Sequence, residues 1–122
     1  MIDLQASDIR TFIPASDFEL SKGFYAALGF EVDDIDANMA LLSVGDRAFY
    51  LQRYYVKDWA ENSMLYIIVA DAQRCFEQIS ALLADGRFVG ARVVAPKREA
   101  YGAVVTYVWD PAGVLLHLAQ WD

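Results

Sequence analysis

The chain has 122 residues, 57% hydrophobic and 14% aromatic, a composition typical of one globular domain rather than of a disordered chain. Ten Lys and Arg against 17 Asp and Glu give a formal net charge of −7, which disfavours nucleic acid and anionic lipid as partners. The sequence carries no basic leader followed by an apolar run and no membrane-length apolar stretch, so we expect a cytoplasmic protein. The single cysteine, Cys75, excludes an intramolecular disulfide.

The first half of the chain predicts a strand, a helix and three further strands. Residues 9–14 are β-branched and aromatic, as in a strand. Ser16 and Glu19 have the spacing of a capping box, which predicts a helix that begins there and ends at Gly29. The acidic run 33–36 predicts a solvated turn. The remaining predicted strands of this half begin at Phe30 and form the hairpin 39–44 and 47–54.

The second half repeats this order after a polar segment, residues 55–63, that lacks periodicity and predicts a linker. A shift of 54 residues lays Asp17 on Asp71, and each aspartate precedes an apolar helical stripe. We therefore predict two modules within one domain, at about 8–54 and 64–122. The predicted elements of the second module are a strand at 64–69, a helix from Asp71 to Gly86, and strands at 88–95, 103–109 and 114–120.

The last turn of the chain positions its only histidine. Asp110-Pro111-Ala112-Gly113 has the residue pattern of a type I turn, so two strands should meet there. The following strand alternates, which places His117 on one face together with Leu115 and Ala119.

These features resemble the vicinal-oxygen-chelate superfamily, which includes glyoxalase I, extradiol dioxygenases, and fosfomycin- and bleomycin-resistance proteins. The resemblance rests on DFELSKGFYAALGFEV at 17–32, on the DPAG turn at 110–113, and on the duplicated order of elements. A strand that carries His117 after DPAG is similar to the bleomycin-resistance branch, whose members bind rather than catalyse. The resemblance implies an α+β fold of two tandem βαβββ modules that form a curled, cup-like mixed sheet, and it implies a homodimer.

The resemblance also implies four cup-facing positions that hold a metal ion in the enzymes of the superfamily. In this sequence they fall on Arg10, Phe49, Met64 and His117. Only His117 could ligate a divalent ion, because Arg10 stays protonated, Phe49 has no donor atom, and Met64 offers a soft thioether. We therefore predict no metal, no other cofactor and no catalytic residue.

The candidate binding residues are mostly aromatic and lie on predicted strands or in the linker. For any one of them, burial in the core is the ordinary alternative to ligand contact. The linker aromatics cannot all enter a sheet core, which favours a cleft or a subunit interface. The predicted ligand-binding residues are Arg10, Phe12, Phe49, Tyr54, Trp59, Met64, Tyr66, Tyr107, Trp109 and His117.

The favoured hypothesis is a metal-free protein that sequesters an aromatic, cationic, bleomycin-like compound in clefts of a homodimer and thereby gives antibiotic resistance. Aromatic walls and an acidic chain suit such a ligand. The alternative is a metal-dependent enzyme of the same superfamily, a glyoxalase-like lyase or a ring-cleaving dioxygenase. A third hypothesis is a dimeric interaction module whose cup is filled by its own side chains.

Overall fold

The computed structural model describes residues 1–122 as an α+β fold, which confirms the predicted fold class. Its elements are β1 (Phe12–Pro14), α1 (Phe18–Ala27), β2 (Glu31–Asp36), β3 (Met39–Val44), β4 (Arg47–Gln52), α2 (Lys57–Glu61), β5 (Met64–Ile68), α3 (Ala72–Leu83), β6 (Arg92–Arg98), β7 (Ala103–Trp109) and β8 (Leu115–Trp121). Sheet A has the strand order β1-β4-β3-β2, and sheet B has the order β5-β8-β7-β6. In each sheet the first strand of the module pairs in parallel with the last, and the other pairs are antiparallel.

Both long helices begin at an aspartate. The side chain of Asp17 accepts a hydrogen bond from the amide of Leu20, and that of Asp71 accepts one from the amide of Arg74. These bonds satisfy amides that have no partner within the helix. The predicted capping box was therefore wrong, because Ser16 lies one residue before the N-cap position that Asp17 occupies.

Three predicted assignments, two strand starts and one turn, were wrong because the tertiary structure decides them. Strand β1 begins at Phe12 rather than Ile9, and Ile9 is exposed. The acidic run is not a turn but most of β2, an edge strand whose charged side chains face solvent. Strand β6 begins at Arg92 rather than Phe88, because Phe88 lies in the core. Between them the chain passes close to Pro111 at Gly90. A Cβ atom on Gly90 would lie 2.9 Å from the carbonyl oxygen of Pro111.

The segment between the modules is more regular than its sequence indicated. Residues 57–61 form α2, a short helix that starts after Val56 without a side-chain cap.

No helix of the chain is both long and apolar enough to cross a bilayer.

A single core joins the two modules. Fifteen buried residues drawn from both modules form one cluster. Within it, the ring of Phe24 on α1 lies edge-on to that of Phe88, with centroids 5.6 Å apart. Both sheets therefore direct one face toward this shared core, and the opposite face, here called the free face, lies outside it.

A buried hydrogen bond crosses the boundary between the modules. Tyr25 on α1 donates from its hydroxyl to Oδ2 of Asp110 at 2.7 Å. Oδ1 of Asp110 accepts from three amides of its own turn, those of residues 112, 113 and 114. Burial raises the pKa of Asp110 against the effect of these bonds, and burial raises the pKa of Tyr25 well above its usual value.

Replacing Tyr25 with Phe should lower the free energy of unfolding by about 1–3 kcal/mol, because a buried carboxyl oxygen loses its donor. Chemical denaturation measures the change. Tyr55→Phe is the matched control, since the Tyr55 side chain is exposed. Equal unfolding midpoints for the two variants would contradict a stabilising role for the hydrogen bond.

Candidate functional site

The free face of sheet B brings together three predicted site residues. His117 lies opposite Tyr66 in the parallel pair of β5 and β8, and opposite Tyr107 in the antiparallel pair of β7 and β8. The imidazole centroid lies 5.6 Å from the Tyr66 ring and 5.0 Å from the Tyr107 ring. The neighbouring residues Leu116 and Leu118 point the other way, into the core. The alternation predicted for this strand is thus present, with His117 outside the core.

The turn between β6 and β7 adds two residues that sequence reasoning missed. Glu99 accepts a hydrogen bond from the Tyr107 hydroxyl at 2.6 Å. The hydroxyls of Tyr101 and Tyr66 lie 3.2 Å apart. The turn therefore curls toward the free face, and we call Tyr66, Glu99, Tyr101, Tyr107 and His117 the His117 cluster. The sequence around this turn, Lys97 to Gly102, has no periodic pattern that would indicate this arrangement.

The His117 cluster contains a carboxylate that stays ionised. The hydrogen bond from Tyr107 is the main cause that holds the pKa of Glu99 below its usual value, and the charge of Lys97 acts in the same direction. The same hydrogen bond raises the pKa of Tyr107 to about 12. Contact with the Tyr66 hydroxyl is the main cause that raises the pKa of Tyr101 to about 12. At neutral pH the cluster thus presents the neutral phenols of Tyr101 and Tyr107 beside the negative charge of Glu99.

The imidazole of His117 has an unused polar atom. Its Nε2 is buried and has no hydrogen-bond partner in the protein. A buried polar atom without a partner costs free energy, which makes it uncommon in a purely structural role. Such an atom can accept or donate a hydrogen bond, depending on the tautomer, when a ligand brings a complementary group.

The free face of sheet A carries a second, smaller group. Phe12 and Tyr50 are partners in the parallel pair of β1 and β4, and their rings stack with centroids 4.9 Å apart. Arg10 precedes β1 and donates from Nη1 to the Tyr50 hydroxyl at 2.9 Å, while its Nε lies 3.0 Å from Oδ2 of Asp8. The positive charge of Arg10 is therefore paired with the carboxylate of Asp8.

Phe49 was predicted on the cup-facing side, and its position is wrong. It is buried in the shared core, with its ring centroid 5.6 Å from that of Tyr25. Tyr50, the next residue, takes the place in sheet A that His117 takes in sheet B, because each pairs with the first strand of its module. Gly45 and Gly113 each lie two residues before the strand that follows, so an equal count reaches the third residue of each strand; that residue faces the core in β4 and the free face in β8.

The other predicted residues lie apart from the centre of the cluster. Trp109 is on the free face of sheet B, but its ring is covered by Arg92, whose Cζ lies 3.5 Å from the ring centroid. Met64 is exposed on the same face. Tyr54 and Trp59 contact each other at 6.1 Å between centroids and have no ring contact with the His117 cluster.

Solved structures with this architecture include a bleomycin resistance determinant encoded on the transposon Tn5, with 24% identity, a TM-score of 0.75, and coverage of 95% of this chain and 99% of that one. A bleomycin-binding protein from Streptomyces verticillus, complexed with copper(II)-bleomycin, gives 22% identity, a TM-score of 0.77, and coverage of 96% and 99%. The fold is that of the bleomycin-resistance proteins. It is shared with a lactoylglutathione lyase from Agrobacterium tumefaciens, at 16% identity, a TM-score of 0.69 and 94% coverage of both chains. No protein-family model and no curated protein matches the sequence.

The residues of this chain cannot form the metal site that enzymes of the vicinal-oxygen-chelate superfamily use. The four corresponding positions hold Arg10, Tyr50, Met64 and His117, a set with a single imidazole and no carboxylate. No group of three or more His, Cys, Asp or Glu side chains is arranged to hold an ion. One imidazole is too few ligands for the tetrahedral or octahedral sites of divalent metals.

The two cavities of the protein lie between the modules and not over His117. They have volumes of about 630 and 570 Å³ and share the apolar residues Phe30, Val44, Ile67 and Ile68. Tyr66 borders the second cavity and so connects it to the edge of the His117 cluster. We place the candidate site at the His117 cluster because it holds the polar groups that can orient a ligand, whereas the cavities are lined mainly by hydrophobic residues.

Replacing His117 with Leu should leave the free energy of unfolding unchanged within about 0.5 kcal/mol, or raise it, because the variant removes a buried polar atom that has no partner. Thermal or chemical denaturation measures the change. Leu118→Ala, on the core side of the same strand, should cost about 2–5 kcal/mol. A comparable loss for both variants would mean that His117 has a structural role.

Proposed function

We propose that the protein binds an aromatic, positively charged small molecule of the bleomycin type on the free face of sheet B and thereby sequesters it. The observation that carries the proposal is the buried and unpartnered Nε2 of His117, which lies among the rings of Tyr66 and Tyr107. Sequestration in the cytoplasm would protect the cell from a toxic compound and would give resistance without chemical change.

The chemistry of the His117 cluster supports an aromatic ligand. Tyrosine rings offer flat apolar faces, and their hydroxyls and the imidazole offer hydrogen bonds at fixed positions. Small-molecule sites usually combine many hydrophobic and aromatic side chains with a few polar groups. The bleomycin-binding protein of the same fold, which is complexed with copper(II)-bleomycin, supports the same class of ligand.

Charge also supports a cationic ligand. The net charge of −7 attracts cations toward the protein. Within the His117 cluster, Glu99 is ionised, and on sheet A the charge of Arg10 is offset by Asp8.

We expect the protein to bind bleomycin in a calorimetric titration, and His117→Leu to weaken binding by about 1–3 kcal/mol, the range for a lost hydrogen bond in a desolvated site. Trp59→Ala is the comparison variant, since Trp59 lies on α2 and contacts Tyr54 rather than the cluster. Loss of binding in Trp59→Ala together with full binding in His117→Leu would move the site to the linker aromatics. No binding to the unmodified protein would contradict the proposal.

The enzymatic alternative makes a different prediction about metal content. Elemental analysis of the purified protein should find no nickel, iron, manganese or zinc in stoichiometric amount, because the protein has no sufficient ligand set. One tightly held ion per chain would contradict the binding-protein proposal and favour a glyoxalase-like lyase or a ring-cleaving dioxygenase.

We further propose that two copies form a homodimer in which edge strands of the two copies meet and the free face of sheet B lines a cleft between them. Strands β1 and β5 each lie at the edge of a sheet, so their outer sides have no partner strand within the chain. Strand β5 also exposes large apolar side chains, among them Ile68 at 71%. Unpaired apolar edges promote association with another chain, and a two-fold axis would cover both edges at once.

The dimer should sediment at twice the 13.7 kDa mass of the chain at micromolar concentration. Ile68→Asp should shift it to a monomer, because a charge would then be buried in the interface. Ile35→Asp is the matched control, since Ile35 is exposed on β2, at the other edge of sheet A. A monomeric unmodified protein, or a dimer that resists Ile68→Asp, would contradict this interface.

A further inference from the structure

We propose that Glu99 is the residue that selects a cationic ligand at the His117 cluster. Its Oε2 would accept a hydrogen bond from a protonated amine of the ligand, and the charge of that amine would displace Lys97, whose Nζ lies 3.5 Å from Oε1 of the same carboxylate in the free protein. The inference rests on the proposed function and names the group that recognises the charge of the ligand.

The carboxylate of Glu99 is only half used by the protein. Oε1 accepts the hydrogen bond from Tyr107 at 2.6 Å and lies 3.5 Å from Nζ of Lys97. Oε2 accepts no hydrogen bond from any protein group. A carboxylate has about four acceptor positions, so a further donor can bind without removing Tyr107.

The surroundings of Glu99 make its charge more effective than that of an ordinary surface carboxylate. Its side chain is 21% exposed, whereas that of Lys97 is 68% exposed. Lys97 is therefore a solvated, loosely held partner that a ligand amine can displace at small cost. The hydrogen bond from Tyr107 fixes the direction of the carboxylate, which reduces the entropy lost on binding.

The aromatic residues beside Glu99 would hold the body of the same ligand. The Tyr101 ring lies 5.4 Å from that of Trp121, and its hydroxyl meets that of Tyr66. These rings offer faces for stacking and for cation–π attraction. His117, whose ring centroid lies 5.0 Å from that of Tyr107, adds its unpartnered Nε2. The structure thus assigns three contacts to one ligand: an amine at Glu99, an aromatic ring at the tyrosines, and a polar group at His117.

The test uses two probes that share a ring and differ in charge, 2-naphthylmethylamine, which is protonated at neutral pH, and neutral 2-naphthylmethanol. In calorimetric titrations the unmodified protein should bind the amine about tenfold more tightly than the alcohol, the scale of one charge-assisted hydrogen bond. In Glu99→Gln this ratio should fall to near one. Glu77→Gln, on the exposed side of α3, removes the same charge away from the site and should keep the ratio.

A second variant gives an effect of opposite sign. Lys97→Met removes the competing cation and should raise the affinity for the amine while it leaves that for the alcohol unchanged. Arg74→Gln, another exposed residue of α3, controls for the change in net charge. Lys97→Met also tests the role of Glu99 if Glu99→Gln fails to fold.

The outcomes separate this inference from the proposed function. Bleomycin binding with equal affinities for the two probes, an unchanged ratio in Glu99→Gln, or no gain in Lys97→Met would each overturn the role of Glu99 alone. Failure of the unmodified protein to bind bleomycin and both probes would overturn the proposed function together with this inference.

Discussion

The hydrogen bond between Tyr25 and Asp110 connects the two modules through two fully buried side chains. Asp110 also organises its own turn, which leads directly into β8 and so sets the position of His117. The two modules share one core on their helix-facing sides, and the aromatic clusters of both sheets are left on the free faces. A core shared in this way explains why a chain of 122 residues can form a stable interior and still leave Nε2 of His117 without a partner outside it.

Much of this arrangement could be predicted from the sequence. The shift that lays Asp17 on Asp71 correctly aligns two helix N-caps, because an aspartate before an apolar stripe satisfies amides in the same way in both modules. The strand that follows the DPAG turn alternates as expected, so His117 lies on the free face opposite Tyr66 and Tyr107. Both inferences depend on local chemistry and on the two-residue period of a strand, and both of these features can be read directly from the sequence.

The errors came from features that depend on the tertiary structure. Counting from Gly45 placed Phe49 on the wrong face, since the third residue of β4 faces the core whereas the third residue of β8 faces away from it, and a one-residue difference in register moves a side chain to the opposite face. The acidic residues 33–36 form a strand because β2 is an edge where charges can remain in water. Glu99 and Tyr101 were missed because a turn that curls toward a sheet has no periodic signature. Their contacts with Tyr107 and Tyr66 form only when the strands are assembled.

The most direct test of the binding site uses the fact that the chain contains one histidine, so that the imidazole gives a single set of proton resonances. The Hε1 signal of His117 can be followed by NMR during a titration with bleomycin. We expect this signal to shift in proportion to the bound fraction, because the free Nε2 acquires a partner beside it. An unchanged His117 signal while other resonances show saturable binding would contradict the account, since the ligand would then bind away from the His117 cluster.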